Sequence, residues 1–168
     1  VTNTDKGGEV MGEGIITRHG GGGLAEIAFD DFAIEPDLIH FTATPLSAAR
    51  LSLAATNVGN YALFGGGYGG DHVTIVDAYN GNLTRSTAPA LENKRSRLAA
   101  TNVGNYALFG GGDWGGALAT VDAYNGNLTH STAPALSVAR GDLAATTVGG
   151  FALFGGGNTG STSNVVDA

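Results

Sequence analysis

The sequence repeats itself every 45 residues, and no other property limits its fold as tightly. The string LAATNVGNYALFGGG runs from Leu53 to Gly67, returns unchanged from Leu98 to Gly112, and returns as LAATTVGGFALFGGG from Leu143 to Gly157. Aligned without a gap, residues 53–97 and 98–142 are identical at 32 of 45 positions, which is duplication rather than low complexity. The third copy, 143–168, ends at Val166-Asp167-Ala168, in phase with Val76-Asp77-Ala78 and Val121-Asp122-Ala123. Going backwards, Leu38, Thr42, Ala43, Leu46 and Arg50 fall under Leu83, Thr87, Ala88, Leu91 and Arg95, so residues 38–50 read as the end of a preceding unit. Residues 1–37 form a Gly-rich, acidic segment. Gly20-Gly21-Gly22 falls under Gly65-Gly66-Gly67, so residues 8–52 also admit reading as a degenerate fourth unit.

Each unit carries the signals of β-structure. Leu51 to Val58, Tyr61 to Phe64, Val73 to Tyr79 and Leu83 to Ala88 are short runs rich in β-branched and aromatic residues, separated by Gly and Asn. No segment sustains a helical period. Asn80-Gly81 and Asn125-Gly126 predict type I′ hairpin turns, and Gly59-Asn60 and Gly104-Asn105 mark another turn. The fold class is therefore all-β, each unit a four-stranded antiparallel meander. One such sheet cannot bury both of its faces, so successive sheets must stack, most simply around an axis. The 29 glycines among 168 residues, against roughly 7% in an average chain, are mainly the punctuation of these units.

Several features together resemble the kelch repeats of β-propellers, as found in galactose-oxidase-like propellers. They are the strand running into glycines (Tyr61 to Gly67), a later Tyr (Tyr79, Tyr124), an apolar residue four positions beyond it (Leu83, Leu128), and an Arg before the next first strand (Arg50, Arg95, Arg140). The resemblance covers residues 38–168 and departs from the family where Leu83 and Leu128 stand in place of its usual Trp. It implies that each unit is a propeller blade. At 45 residues per blade the chain holds fewer than four full blades, whereas propellers typically close with about 4–8, so an incomplete propeller is expected. In a closed ring, Leu38 to Ala43 would supply the missing outer strand of the last blade. WD40 repeats have a similar length, but Gly-His and Trp-Asp pairs do not recur at this spacing.

Comparing the copies separates scaffold from decoration. The turns after the first and third strands are the same in units one and two. The connection after the second strand varies: Tyr68-Gly-Gly-Asp-His72, Asp113-Trp-Gly-Gly-Ala117, Asn158-Thr-Gly-Ser-Thr162. So does the connection after the fourth: Glu92 to Arg97, Ser137 to Asp142. In a meander alternate connections emerge at the same edge, so the variable loops should share one face. That predicts a ligand-binding face of Tyr68, Asp71, His72, Asp113, Trp114, Asn158 and Thr159, with Lys94, Arg95 and Arg97 near it. The single Trp of the chain lies in such a loop, where aromatics favour carbohydrate or protein contact.

Asp77, Asp122 and Asp167 recur inside an apolar strand. The simplest role is structural: accepting turn N–H groups or meeting the repeated Arg50, Arg95 and Arg140. His19, His40, His72 and His130 lack metal-ligand spacing, and Glu26, Asp30, Asp31, Glu35 and Asp37 lack that of a calcium loop, so no metal is expected. Gly20 to Gly23 fits no phosphate-binding pattern, and no other cofactor is implied. With no Cys, the Tyr–Cys copper site of galactose oxidase cannot form, and no Ser-x-Asp-x-Gly-x-x-Trp box of sialidase propellers is present. A net charge of −7 argues against nucleic acid, and no uninterrupted apolar stretch suits membrane insertion.

The expectation is a non-catalytic recognition and assembly module whose partner is a glycan or a protein, in a homo-oligomer or larger assembly. The uniform repeats and the Gly/Thr/Asn-rich surface resemble phage tail, virion or bacterial cell-surface proteins, an extracellular setting. A purely structural packing component and a propeller enzyme acting on glycans are the alternatives.

Overall fold

The computed structural model describes residues 42–168; the segment 1–37 and residues 38–41 lie outside the described residues. Among the described residues, eleven strands form three antiparallel sheets. Sheet 1 is β1 (Ala54–Val58), β2 (Tyr61–Gly65), β3 (Val76–Tyr79) and β4 (Arg85–Ala88). Sheet 2 is β5 (Ala99–Val103), β6 (Tyr106–Gly110), β7 (Val121–Asn125) and β8 (His130–Ala133). Sheet 3 is β9 (Ala144–Val148), β10 (Phe151–Gly155) and β11 (Val166–Asp167). In each sheet the strands are hydrogen-bonded in chain order, the meander that the turn spacing predicts. Thr42 and Ala43 carry no strand. No helix long and apolar enough to cross a membrane occurs among the described residues.

Three stretches expected to be extended lie outside the strands: Leu51 to Leu53, Val73 to Ile75, and Leu83 with Thr84 ahead of β4. Leu51 to Leu53 and Val73 to Ile75 instead fasten the loops, with the Leu51 N–H donating to the Tyr68 carbonyl (3.0 Å) and the Val73 N–H to that of Gly67 (3.0 Å). The β3–β4 turn also differs from the type I′ expectation. Oδ1 of Asn80 accepts the N–H groups of Asn82 (3.0 Å) and Thr84 (3.0 Å), and the Leu83 N–H donates to the Asn80 carbonyl (2.8 Å). This is a three-residue loop whose left-handed position is Leu83 (φ 57°), as it is Leu128 (φ 59°) in sheet 2. The Asn carboxamide, by satisfying two loop donors, draws the positive φ away from Asn-Gly and onto a leucine.

The sheets stack face to face, and the cores lie between them. One face of sheet 1 (Val58, Leu63, Val76, Ala78) meets the opposite face of sheet 2 (Ala107, Phe109, Tyr124). Val121 and Leu136 meet Phe154 in the same way at the next interface. The contact works by omission of a side chain. A Cβ on Gly65 would lie 2.8 Å from Cε1 of Phe109, and one on Gly110 would lie 2.6 Å from Cε1 of Phe154. Each phenyl ring therefore sits in a glycine seat of the preceding sheet. First strands neighbour first strands along the stack, where the Thr101 and Thr147 hydroxyls are 2.8 Å apart.

Buried ion pairs tie each linking loop to the third strand of the next sheet. Arg50 reaches Asp77 (2.9 Å), Arg95 reaches Asp122, and Arg140 reaches Asp167 (2.6 Å). Each guanidinium also donates to a second-strand carbonyl, that of Phe64 (3.0 Å), Phe109 (3.0 Å) and Phe154 (2.8 Å) in turn. The carboxylates accept loop N–H groups as well: Ser47 to Asp77 (3.2 Å), Glu92 to Asp122 (2.8 Å) and Ser137 to Asp167 (2.9 Å). Each of the three third-strand Asp residues thus meets both an Arg and an N–H group of a linking loop. The Tyr79 and Tyr124 hydroxyls extend the pattern by donating to the carbonyls of Thr44 and Pro89, each at 2.8 Å.

Candidate functional site

The variable loops share one edge of the stack, because two antiparallel strands, and so two reversals, separate each from the next. The linking loop touches the loop after the second strand through equivalent backbone bridges: Leu51 with Tyr68, Ser96 with Asp113, and Gly141 with Asn158. The loops differ in sequence but not in backbone. In each, the second residue's N–H donates to the carbonyl two residues on, from Gly69 to Asp71, Trp114 to Gly116 and Thr159 to Ser161, all at 3.0 Å. Glycines with positive φ make this repeatable. Gly66 (67°) and Gly67 (113°) have counterparts in Gly111 and Gly112, and in Gly156 and Gly157. A Cβ on Gly66 would also strike the Arg95 carbonyl at 2.7 Å.

The expected site residues gather into two clusters on this edge. In the first, Nζ of Lys94 is 2.6 Å from Oδ2 of Asp71 and 5.1 Å from the centre of the Trp114 ring, which is 48% exposed. The Lys94 ammonium, with the His72 N–H next, holds the Asp71 carboxyl below its ordinary value of 3.8. Tyr68 and His72 form an edge-on aromatic pair beside it, 5.3 Å between centroids. In the second, Arg97 bridges Asp113 (3.0 Å) and Asp142 (3.5 Å). A cleft of about 340 Å³ opens there, with Asn158 and Thr159 on its far wall. Arg95, named near this face and also as a structural partner of the Asp series, is fully buried against Asp122 and does not reach the face.

Ser52 and Asp142 are absent from the sequence-based set, yet the geometry singles them out with Arg97. These three stand 45 residues apart, all left-handed, at φ 55°, 55° and 54°. Their backbones join in a chain, the Arg97 N–H donating to the Ser52 carbonyl and the Asp142 N–H to that of Arg97, each at 2.8 Å. One strained backbone position thus displays Ser, Arg and Asp in successive units at the same edge. The repeat phase carries the signal, since this position differs in all three copies. His130 is also absent from the set: its Nε2 donates to Oδ1 of Asp122 (2.5 Å), where sheet 1 has Arg85 on Asp77 (3.2 Å). No group of three metal-ligating side chains occurs among the described residues.

No family model matches the sequence, and no curated protein matches it. The fold does recur, with 122 chains of known structure matching. One of these, described as "Structure of YjhT", is similar with a TM-score of 0.66 and 14% identity. The match covers 76% of this chain and 44% of that one, so the chain spans less than half of that protein's length. At this identity the likeness concerns the fold alone: stacked antiparallel sheets.

Proposed function

We propose that the chain is a non-catalytic recognition module built of kelch-type β-propeller blades, and that it binds neutral glycans through the variable-loop edge. The observation that carries this reading is the invariant loop backbone with non-repeating side chains, an arrangement suited to display. The side chains suit a sugar. An exposed indole offers a face to pyranose C–H groups, and the adjoining cleft presents a guanidinium, carboxylates, an amide and a hydroxyl to ring hydroxyls.

Charge narrows the class. Lys94 and Arg97 face Asp71, Asp113 and Asp142, two cations against three carboxylates, and both cations are already paired. Nothing there favours a phosphate chain or a strongly acidic ligand. A protein partner on this edge is the second reading, favoured by the exposed Tyr68 and Trp114.

Because Trp114 is the only Trp, intrinsic fluorescence reports directly on this site. Titration with a panel of neutral and acidic oligosaccharides should perturb the emission with neutral members. Trp114→Ala should weaken their binding at least tenfold by calorimetry and leave the melting temperature near that of the wild type. A fluorescence response to no member, or an unchanged affinity in the variant, refutes the glycan reading.

A further inference from the structure

The two ends of the stack carry the two halves of one contact. Sheet 3 presents the face that sheets 1 and 2 each turn towards a following sheet, and its valines and leucine are the same: Val58, Val103 and Val148; Leu63, Leu108 and Leu153; Val76, Val121 and Val166, while Phe151 stands where Tyr61 and Tyr106 do. Burial is opposite at the last position. Val58, Val76 and Val121 are 3%, 0% and 3% exposed and Val103 is half-buried, whereas Val148 and Val166 are each 61% exposed; the aromatic position is exposed in sheet 2 as well as in sheet 3. Such a contiguous apolar face is costly to leave in water. Gly155 occupies the glycine seat of this face. A Cβ there meets, among the described residues, only Cγ2 of Val166 at 3.5 Å, where Gly65 and Gly110 already hold a phenyl ring.

At the other end, sheet 1 carries the matching half. Ala55, Ala62 and Phe64 repeat as Ala100, Ala107 and Phe109. Ala107 and Phe109 are fully buried by sheet 1, but Ala62 is exposed and Phe64 half-buried. Phe64 keeps the pose of Phe109, edge-on to its own sheet's Tyr at 5.7 Å against 5.9 Å in sheet 2. Arg50 binds the Phe64 carbonyl as Arg95 binds that of Phe109, so the linking loop leaves the ring as free to dock as it is in sheet 2.

We propose that the exposed face of sheet 3 docks sheet 1 of a second copy of this chain, with Phe64 of that copy entering the Gly155 seat. The contact reproduces an interface this chain already makes twice, with the same residues on both sides. It is heterologous, head to tail, so each copy keeps one free half and assembly proceeds to a ring or to a filament.

Sedimentation velocity on the 168-residue protein should show species heavier than 16.8 kDa that grow with concentration. Gly155→Trp fills the seat and should abolish them with little change in melting temperature; Val148→Glu on the same face is the companion variant should the indole perturb the strand. Phe64→Ala should abolish them from the other end. Mixing Gly155→Trp with Phe64→Ala should restore a dimer and nothing larger, because each supplies the half the other lacks. A monomer at every concentration, as when residues 1–41 of the same chain cover the face, overturns the proposal. So does assembly indifferent to both variants, or a mixture that stays monomeric.

Discussion

Arg95→Met is expected to lower the unfolding free energy by about 3 kcal/mol, the lower end of what removing one member of a buried ion pair costs. The magnitude follows from Asp122. Its carboxylate and the Arg95 side chain are both fully buried, so deleting the guanidinium leaves a charge that water cannot reach. His130 and the Glu92 N–H still hold the other oxygen, which keeps the loss from being larger. At this chain length the melting temperature should fall by roughly 10 °C. Asp122→Ala should cost a comparable amount, since Nε and Nη1 of Arg95 already lack acceptors among the described residues. Pairing Arg95→Met with Asp122→Leu should recover much of the loss, because an apolar pair leaves no orphaned charge. Urea unfolding followed by circular dichroism measures all three, and single variants as stable as wild type would remove the ion pair from any account of the fold.

The same motif predicts acid sensitivity. Burial pushes the Asp77 carboxyl up, but hydrogen bonds from Ser47, Arg50 and Arg85 outweigh it, and the net value lies below 3.8. Asp167 behaves alike, burial opposing donors from Ser137 and Arg140. A carboxyl whose folded value is depressed binds fewer protons folded than unfolded in that window. Its contribution is complete above 3.8 and is lost as the pH falls through the lower folded value. Stability should be flat with respect to these groups above about pH 5 and decline below about pH 4.

Gly110→Ala should destabilise by about 2 kcal/mol, through overpacking rather than backbone strain. The new methyl would lie 2.6, 2.9 and 3.0 Å from Cε1, Cδ1 and Cζ of Phe154. That ring is buried between two sheets and cannot swing into solvent, so the sheets must part or the ring must leave its rotamer. Gly155→Ala, at the same position of the next unit, should change the stability of the monomer by less than about 0.5 kcal/mol. Adding Phe154→Leu to Gly110→Ala should relieve part of the penalty, a coupling that a double-mutant cycle would measure. Equal effects at Gly110 and Gly155 would show that the glycine seat does not hold the sheets together.

Much of the architecture was legible because the chain states it more than once. The meander, the order of strands and the shared edge of the variable loops follow from a 45-residue period, turn residues and strand reversal. The Asp and Arg series was legible as a pair of structural partners, since each recurs once per unit. The departures arise where a local signal has competitors. Asn80-Gly81 suggests a two-residue turn, but the Asn80 side chain captures two loop donors and moves the left-handed residue to Leu83. Arg95 sits beside Lys94 and Arg97 in sequence, yet it turns inward to Asp122 while they face the loops, and Arg97 leaves Arg95's side only because its own backbone is left-handed (φ 55°).

Sequence by itself determined the unit, its length, its four-strand pattern and which loops vary, because periodicity and turn chemistry are local properties that a single chain displays in full. Only the tertiary structure decided what the repeated parts of the unit touch. That Gly65 and Gly110 are seats for a ring 44 residues further on, and that Ser52, Arg97 and Asp142 share one strained backbone position, depends on how one sheet lies on the next. The physical reason is that a glycine has the same composition whether it turns the chain or makes room for a neighbour. Stacking tells the two apart, and at Gly155 no ring of the described residues takes the seat.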